Sequence, residues 1–250
     1  MKRWLYPLAL LAALIGLWQI AASSGFMADV LGLEEFLVPS PAEIAAELWE
    51  RRSLLAENGW VTLVEIVLGF AISVALGVAF ATAMHLWTTI RLAANPLVIV
   101  SQSIPIIVIA PIFVIWFGFG IMPKLIIIAL ICFFPVTVAT LDGLRSADPA
   151  AIKLMRTLYA SRTQILRRVE APGALPSFFS GARIAAAVAP IGAVFAEWAG
   201  ANEGLGRLIL DSNANFQVPL TFAAVVVLSA IAIALYVLVA VAERRVVTWR

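Results

Sequence analysis

The side chains able to do chemistry are few and scattered. The chain of 250 residues has one histidine, His85, and one cysteine, Cys132. Cys132 lies inside an apolar run and reads as a small buried hydrophobe. Alone it forms no intrachain disulfide. His85 ends another apolar run and reads as interfacial, and no metal-ligand cluster exists. Glu65, Glu197 and Arg183 sit inside apolar runs, where a charge must face protein, water or the interface, and Arg183 can snorkel. A polar trio, Ser101-Gln102-Ser103, lies between Pro96 and Pro105. The densest polar stretch runs from Asp142 to Pro176. It holds Arg145, Lys153, Arg156, Arg162, Arg167 and Arg168, six of the 17 Lys and Arg. These residues suit recognition rather than catalysis.

The elements that position them are membrane helices. Hydrophobic residues make up 63% of the chain and charged residues 13%, with a mean hydropathy of +1.02. A soluble domain carries about 25% charged residues. Six apolar segments are long enough to span, at roughly 4–22, 60–84, 93–117, 122–141, 177–199 and 220–242. Each must be helical, because an open strand leaves backbone groups unpaired in lipid. Met1-Lys2-Arg3 and the following run could pass for a signal peptide, but the run spans a bilayer core and reads as a retained helix. With the N-terminus in the cytoplasm, 12 Lys and Arg fall in cytoplasmic segments. Four fall outside: Arg51, Arg52, Lys124 and Arg207. That asymmetry predicts both ends inside. The expected organisation is an N-terminal helix with an outer amphipathic loop over 1–59, then a five-helix core over 60–250.

Local signals refine this. Pro39-Ser40-Pro41 starts an amphipathic surface helix reaching about Glu57. Gly69 and Gly77 allow close helix approach in the second span. Pro105 and Pro111 predict a kinked or broken third span, tolerated where protein or a wet cavity satisfies the backbone. Gly118-Phe119-Gly120 makes a short turn. Phe133-Phe134-Pro135 predicts a kink, and Asp142-Gly143 a turn. Residues 200–219 read as a polar, glycine-rich loop able to meet a partner. In the polar stretch, Asp148-Pro149 starts a helix, and Tyr159-Ala160-Ser161 breaks it weakly. A second short helix ends at Pro172 and Pro176. Ile152, Met155 and Leu158 form one apolar stripe, with Ile165, Leu166 and Val169 forming another. Such edges beside basic residues suit either a groove on a partner protein or a membrane surface with arginines on lipid phosphates.

The polar hairpin and the fifth span resemble the permease subunits of bacterial ABC importers that use a separate binding protein. Their signature is Glu-Ala-Ala, three residues, Gly, nine residues, then Ile-x-Leu-Pro. Here the register falls on Lys153-Leu154-Met155, Tyr159, and Val169-Glu170-Ala171-Pro172. The spacing and the proline match; the Glu, both Ala and the Gly do not. Arg156-Thr157-Leu158, Ala160-Ser161-Arg162, Gly181-Ala182-Arg183-Ile184 and Gly192 to Glu197 resemble the sulfonate, taurine, nitrate and thiamine-precursor branch. Ile104-Pro105, Ala110-Pro111, Trp116 to Gly120, Phe133-Phe134-Pro135 and Glu197-Trp198 look most like permeases for pyrimidine precursors of thiamine.

The resemblance implies an all-α polytopic fold of the type I importer permease kind, with six transmembrane helices and a cytoplasmic coupling hairpin. It implies a homodimer, two cytoplasmic ATPase subunits and an extracytoplasmic binding protein. The chain itself would bind no cofactor, ATP being used by the partner ATPase. Lys153, Leu154, Met155, Arg156, Leu158, Tyr159 and Arg162 are the expected ATPase-docking residues. Ser101, Gln102, Ser103, Trp116, Phe133 and Glu197 are the expected lining of the substrate path. A sulfonate or nitrate importer would want more positive charge than Arg183 supplies. An ion-coupled secondary transporter would need embedded acids; only Glu65 and Glu197 qualify, and no inverted repeat is apparent.

Overall fold

The computed structural model describes residues 2–101 and 105–249, and every regular element among them is helical. In chain order these are α1 (Lys2–Ser23), α2 (Phe26–Leu31), a 3-10 turn (Glu35–Leu37), α3 (Pro41–Glu50), α4 (Arg52–Leu86), α5 (Thr88–Ser101) and α6 (Ile106–Phe117). They continue with α7 (Ile121–Arg145), α8 (Pro149–Thr157), α9 (Arg162–Ile165), a π turn (Leu166–Glu170), α10 (Ala171–Gly200), α11 (Leu205–Ala214) and α12 (Val218–Val246). Four helices among the described residues are long and apolar enough to cross a membrane: Arg52–Leu86, Ile121–Arg145, Arg162–Gly200 and Val218–Val246. At 22 residues, α1 is about 33 Å long, also enough for a bilayer core.

The helices divide into two units. One comprises Met1–Val61 and Glu203–Ser229, the other Thr62–Asn202 and Ala230–Arg250. In the first, Ser40 and Glu43 form a capping box that starts α3 beside Pro41. Gln19 Oε1 accepts the Ala42 N–H at 2.9 Å, tying α3 to α1. The predicted surface helix ends at Glu50, not near Glu57. The chain turns at Arg51 and restarts as α4, eight residues before the expected span. The Arg51-Arg52 pair sits at this corner. Arg51 lies 3.7 Å from Glu47, and Arg52 stacks 5.1 Å from the Trp49 ring centre. The expected loop 200–219 contains α11, whose Leu205 and Gly206 are buried. Its leading Gly204 donates its N–H to Asn58 Oδ1 at 2.8 Å.

The second unit is built on α4, α6, α7 and α10, with α7 against α10 as its most extensive pairing. Small residues set the separation. A Cβ on Gly181 would collide with the Pro135 carbonyl oxygen and the Ala139 Cβ. One on Gly69 would stand 2.7 Å from Ile128, and one on Gly77 2.9 Å from Val136. Lipid supplies no hydrophobic drive for helix association, so such close packing must hold the helices together.

One sequence reading changes here, and two others can be placed on the elements. Gly143 is no turn residue: it lies within α7, where Ser177 Cβ and the Ala174 carbonyl would stand 2.8 and 2.9 Å from an added Cβ. Phe133-Phe134-Pro135, read as a kink, falls inside α7, which runs unbroken from Ile121 to Arg145. The third span is divided, as its prolines require: α5 ends at Ser101 and Pro105 precedes α6. Residues 102–104, which include Gln102 and Ser103, lie outside the described residues.

The glycine contacts make a specific prediction. Gly181→Ala must push α7 and α10 apart and should lower stability by about 1–3 kcal/mol, as overpacking does. Gly173, with open space where a Cβ would go, is the control. Its replacement by Ala should leave stability unchanged or raise it by up to about 1 kcal/mol. Thermal unfolding of the purified variants in one detergent compares them.

Candidate functional site

The hairpin begins where Asp148 caps α8, its side chain accepting the Ala150 N–H at 2.8 Å. It bends at Tyr159, whose φ is +56°. That left-handed conformation favours glycine, the residue the family signature carries there. The bend survives the substitution, with a tyrosine holding the backbone angle. Ser161 and Gln164 form a capping box that starts α9. The second arm is not a separate helix. Through the π turn it runs into α10 as one 39-residue helix from Arg162 to Gly200. Pro172 lacks an N–H and sits in the first turn of α10. The wider turn before it closes with the Ala171 N–H on the Leu166 carbonyl.

This surface is open. Leu154, Leu158 and Tyr159 are 62%, 67% and 97% exposed. Lys153, Arg156 and Arg162 are exposed as well, and Met155 is half-buried. The docking candidates therefore form one patch on α8 and the bend. Its apolar members are Leu154, Leu158 and the Tyr159 ring. Ile152 is half-buried instead.

A polar contact holds the hairpin to the helical core. Glu170, on the π turn, is buried. Its Oε2 accepts from Arg162 Nη1 at 2.6 Å and lies 3.0 Å from His85 Nε2 at the end of α4. Arg162 Nη2 is also 2.8 Å from that His85 nitrogen. Three elements meet on one carboxylate. Sequence reading left His85 as an interfacial residue and Glu170 as an unremarked signature position. No periodicity joins residues 85, 162 and 170, so only the fold could.

At the opposite end of the core, Lys124 Nζ donates to Glu65 Oε1 at 2.6 Å, and Thr62 Oγ1 donates to Glu197 Oε1 at 2.6 Å. Lys124, counted above as an outer-loop residue, is buried within α7. An acid inside an apolar span needs a donor at matching depth, and Lys124 supplies it.

The path candidates do not gather at one place. Glu197 is fully buried and faces its Thr62 partner. Phe133 packs on Phe80, ring centres 5.5 Å apart. Trp116 is 70% exposed and stands edge-on to Phe113. Ser101 ends α5. Phe133 also lines a groove of about 390 Å³ between α4 and α7, and a second groove, of about 580 Å³, lies among α6, α7 and α10. Ile106, Phe134, Val138, Asp142, Ile191 and Phe195 help line it. The second groove is lined by Phe134 and Phe195, which stand about 100° from Phe133 and about 200° from Glu197 around their helices.

A helical core bearing an exposed, angled hairpin is the architecture of ABC importer permeases. The inward-facing MetNI methionine ABC transporter shares this fold: its matching chain superimposes with a TM-score of 0.70 at 17% identity, covering 79% of this chain and 98% of that one. Residues 59–248 match the family described as the binding-protein-dependent transport system inner membrane component. The chain belongs to that family. It is similar to the formylaminopyrimidine transport permease protein ThiX of Halalkalibacterium halodurans, 36% identical over 98% of this chain and 96% of that protein. It is also similar to the riboflavin transport system permease protein RibX of Chloroflexus aurantiacus, 37% identical over 97% and 89% of the two chains. The protein is thus a membrane-embedded, non-catalytic permease subunit of an ABC importer, a class that works with ATPase and binding-protein partners.

The Glu170 contact can be tested directly. Glu170→Gln keeps the shape but removes the charge that Arg162 and His85 share. It should weaken the attachment by about 2 kcal/mol, which is roughly thirtyfold faster opening. Amide hydrogen exchange in residues 149–170 should speed up accordingly while α7 stays protected.

Proposed function

We propose that this subunit conducts a planar nitrogen heteroaromatic solute, in the first instance a pyrimidine precursor of thiamine. The observation that carries this is the full-length similarity to a formylaminopyrimidine permease. Riboflavin, named for a relative of equal similarity, is the second reading and belongs to the same chemical class. The groove among α6, α7 and α10 suits both. Its aromatic lining residues, Phe134 and Phe195, offer stacking faces, and its one charged lining residue is the carboxylate of Asp142. A sulfonate, taurine or nitrate would meet that carboxylate unfavourably. Ser101, Gln102 and Ser103, which precede Ile106 at the groove, remain the proposed polar contacts on the path, with Trp116, Phe133 and Glu197 as its flanks.

The hairpin faces the cytoplasm in this reading, and both chain ends lie on the same side. Two copies pair, enclosing the path between them. The patch of Lys153, Leu154, Met155, Arg156, Leu158, Tyr159 and Arg162 docks an ATPase subunit. The binding protein delivers solute on the far side. ATP acts only through the ATPase; this chain binds no cofactor. Movement of the docked ATPase reaches α4 through Glu170 and α10 through the continuous second arm. Such coupling needs two discrete arrangements that ATP biases.

Met155→Asp combined with Leu158→Asp should abolish copurification of the ATPase while the permease still inserts. Copurification and transport that persist would remove the docking assignment. For the solute, Phe134→Ala and Phe195→Ala should each cut pyrimidine uptake by up to about tenfold. The ligand retained by the cognate binding protein separates the two solutes: a flavin there selects the second reading, and a sulfonate rejects both.

A further inference from the structure

Arg183, on α10, serves neither the docking patch nor the groove. Its Nη2 leans back along the helix and donates to Ser180 Oγ at 3.3 Å. Its Nη1 stands 3.4 Å from Glu243 Oε2, near the end of α12. Both distances are long for a charge-assisted hydrogen bond. Just past α12 the chain buries Val247. Arg183, Ala240, Glu243, Arg244, Val247 and Thr248 together line a pocket of about 550 Å³, which lies wholly within the second unit.

The pocket is lined by two guanidiniums and one carboxylate. An arginine carries five N–H donors, and Arg183 spends two of them on Ser180 and Glu243. Arg244 is exposed and makes no hydrogen bond or ion pair among the described residues. The Thr248 hydroxyl adds a further donor. The pocket is thus positive and rich in donors, and it opens where α12 leaves its apolar run, the level at which lipid headgroups lie. Next to the lining residues in sequence, Ile184, Val241, Val246 and Trp249 are all exposed apolar surface. We propose that this pocket binds a phosphate group, carried by an anionic membrane lipid or free in solution. Arg183 and Arg244 hold the phosphate oxygens, and Glu243 keeps the Arg183 guanidinium turned toward them. In the lipid case the exposed apolar residues lie along the acyl chains. This inference is independent of the solute and of the docking surface.

Native mass spectrometry of the full-length subunit in detergent tests it, with phosphatidylglycerol, phosphatidylcholine or inorganic phosphate added in turn. Saturable retention of phosphatidylglycerol in preference to phosphatidylcholine selects the lipid source, and saturable retention of inorganic phosphate alone selects the free one. Arg244→Gln should weaken the retained binding about fivefold, and Glu243→Gln, which removes the only acid of the pocket, should strengthen it about fivefold. Arg245 is exposed at the same helix end but does not line the pocket. Arg245→Gln should therefore change binding by less than about twofold. Arg244 and Arg245 are both exposed, so these two variants should fold as the wild type does. Absence of saturable binding by either phosphate source overturns the proposal. So does equal weakening by Arg244→Gln and Arg245→Gln, which marks diffuse attraction to a basic surface, or binding unchanged in Glu243→Gln.

Discussion

The architecture depends on backbone-to-backbone contact between α7 and α10. In water, a small residue between two helices gives up hydrophobic burial. In lipid that term is absent, and what remains is dispersion over a close, shape-matched surface. Gly181 against Pro135 and Ala139, Gly192 against Ile128, and Gly143 against Ala174 run along most of the α7–α10 seam. Gly69 and Gly77 do the same for α4 on α7. Neither seam tolerates a bulky side chain at these positions. The seam thus pairs glycines with buried side chains such as Ile128 and Val136, while Ile184 and Ile191 of α10 are turned outward.

Two polar clusters supplement that seam. Each is a directional contact between different elements, and each lies near an end of the core. Glu65, Lys124, Glu197 and Thr62 join α4, α7 and α10 at one end. His85, Arg162 and Glu170 join α4 to the hairpin and its π turn at the other. Charged hydrogen bonds are stronger where water is scarce, and losing one partner there is costly. A force applied to the hairpin thus meets a braced body. The continuous helix from Arg162 to Gly200 makes the second arm a lever rather than an appendage.

The sequence states the fold clearly because composition and length leave few options in a membrane. Hydropathy located the long helices, the Asp148-Pro149 pair located the hairpin, and the paired prolines located the division between α5 and α6. Errors arose where one residue type serves two purposes. Glycine marks turns in soluble proteins, so Gly143 reads as a turn although it is a contact point. Proline marks helix ends, yet Pro172 and Pro176 sit inside a helix whose preceding π turn absorbs the misfit. Residues 200–219 look polar enough for a loop, but they hold α11, which buries Leu205, Gly206 and Ser212. The Lys124–Glu65 and His85–Glu170 contacts were illegible because they join residues 59 and 85 positions apart, with no periodicity to announce them.

The substrate path shows the same limit at finer grain. Reading Phe133 or Phe134 as lining is a choice of helix face, because the two side chains point about 100° apart. The sequence motif contains both phenylalanines and gives no phase. The phase is fixed elsewhere: Ile128, Val136 and Cys132 are buried at four-residue spacing on α7, so the stripe through them must face α4 and α10. Phe133 follows Cys132 toward Phe80 on α4, and Phe134 and Val138 turn to the groove. Once the glycine seam sets that stripe, the positions that line the groove are no longer free. The side chains on the groove face can then vary without shifting the helices, because the glycine seam already sets the phase.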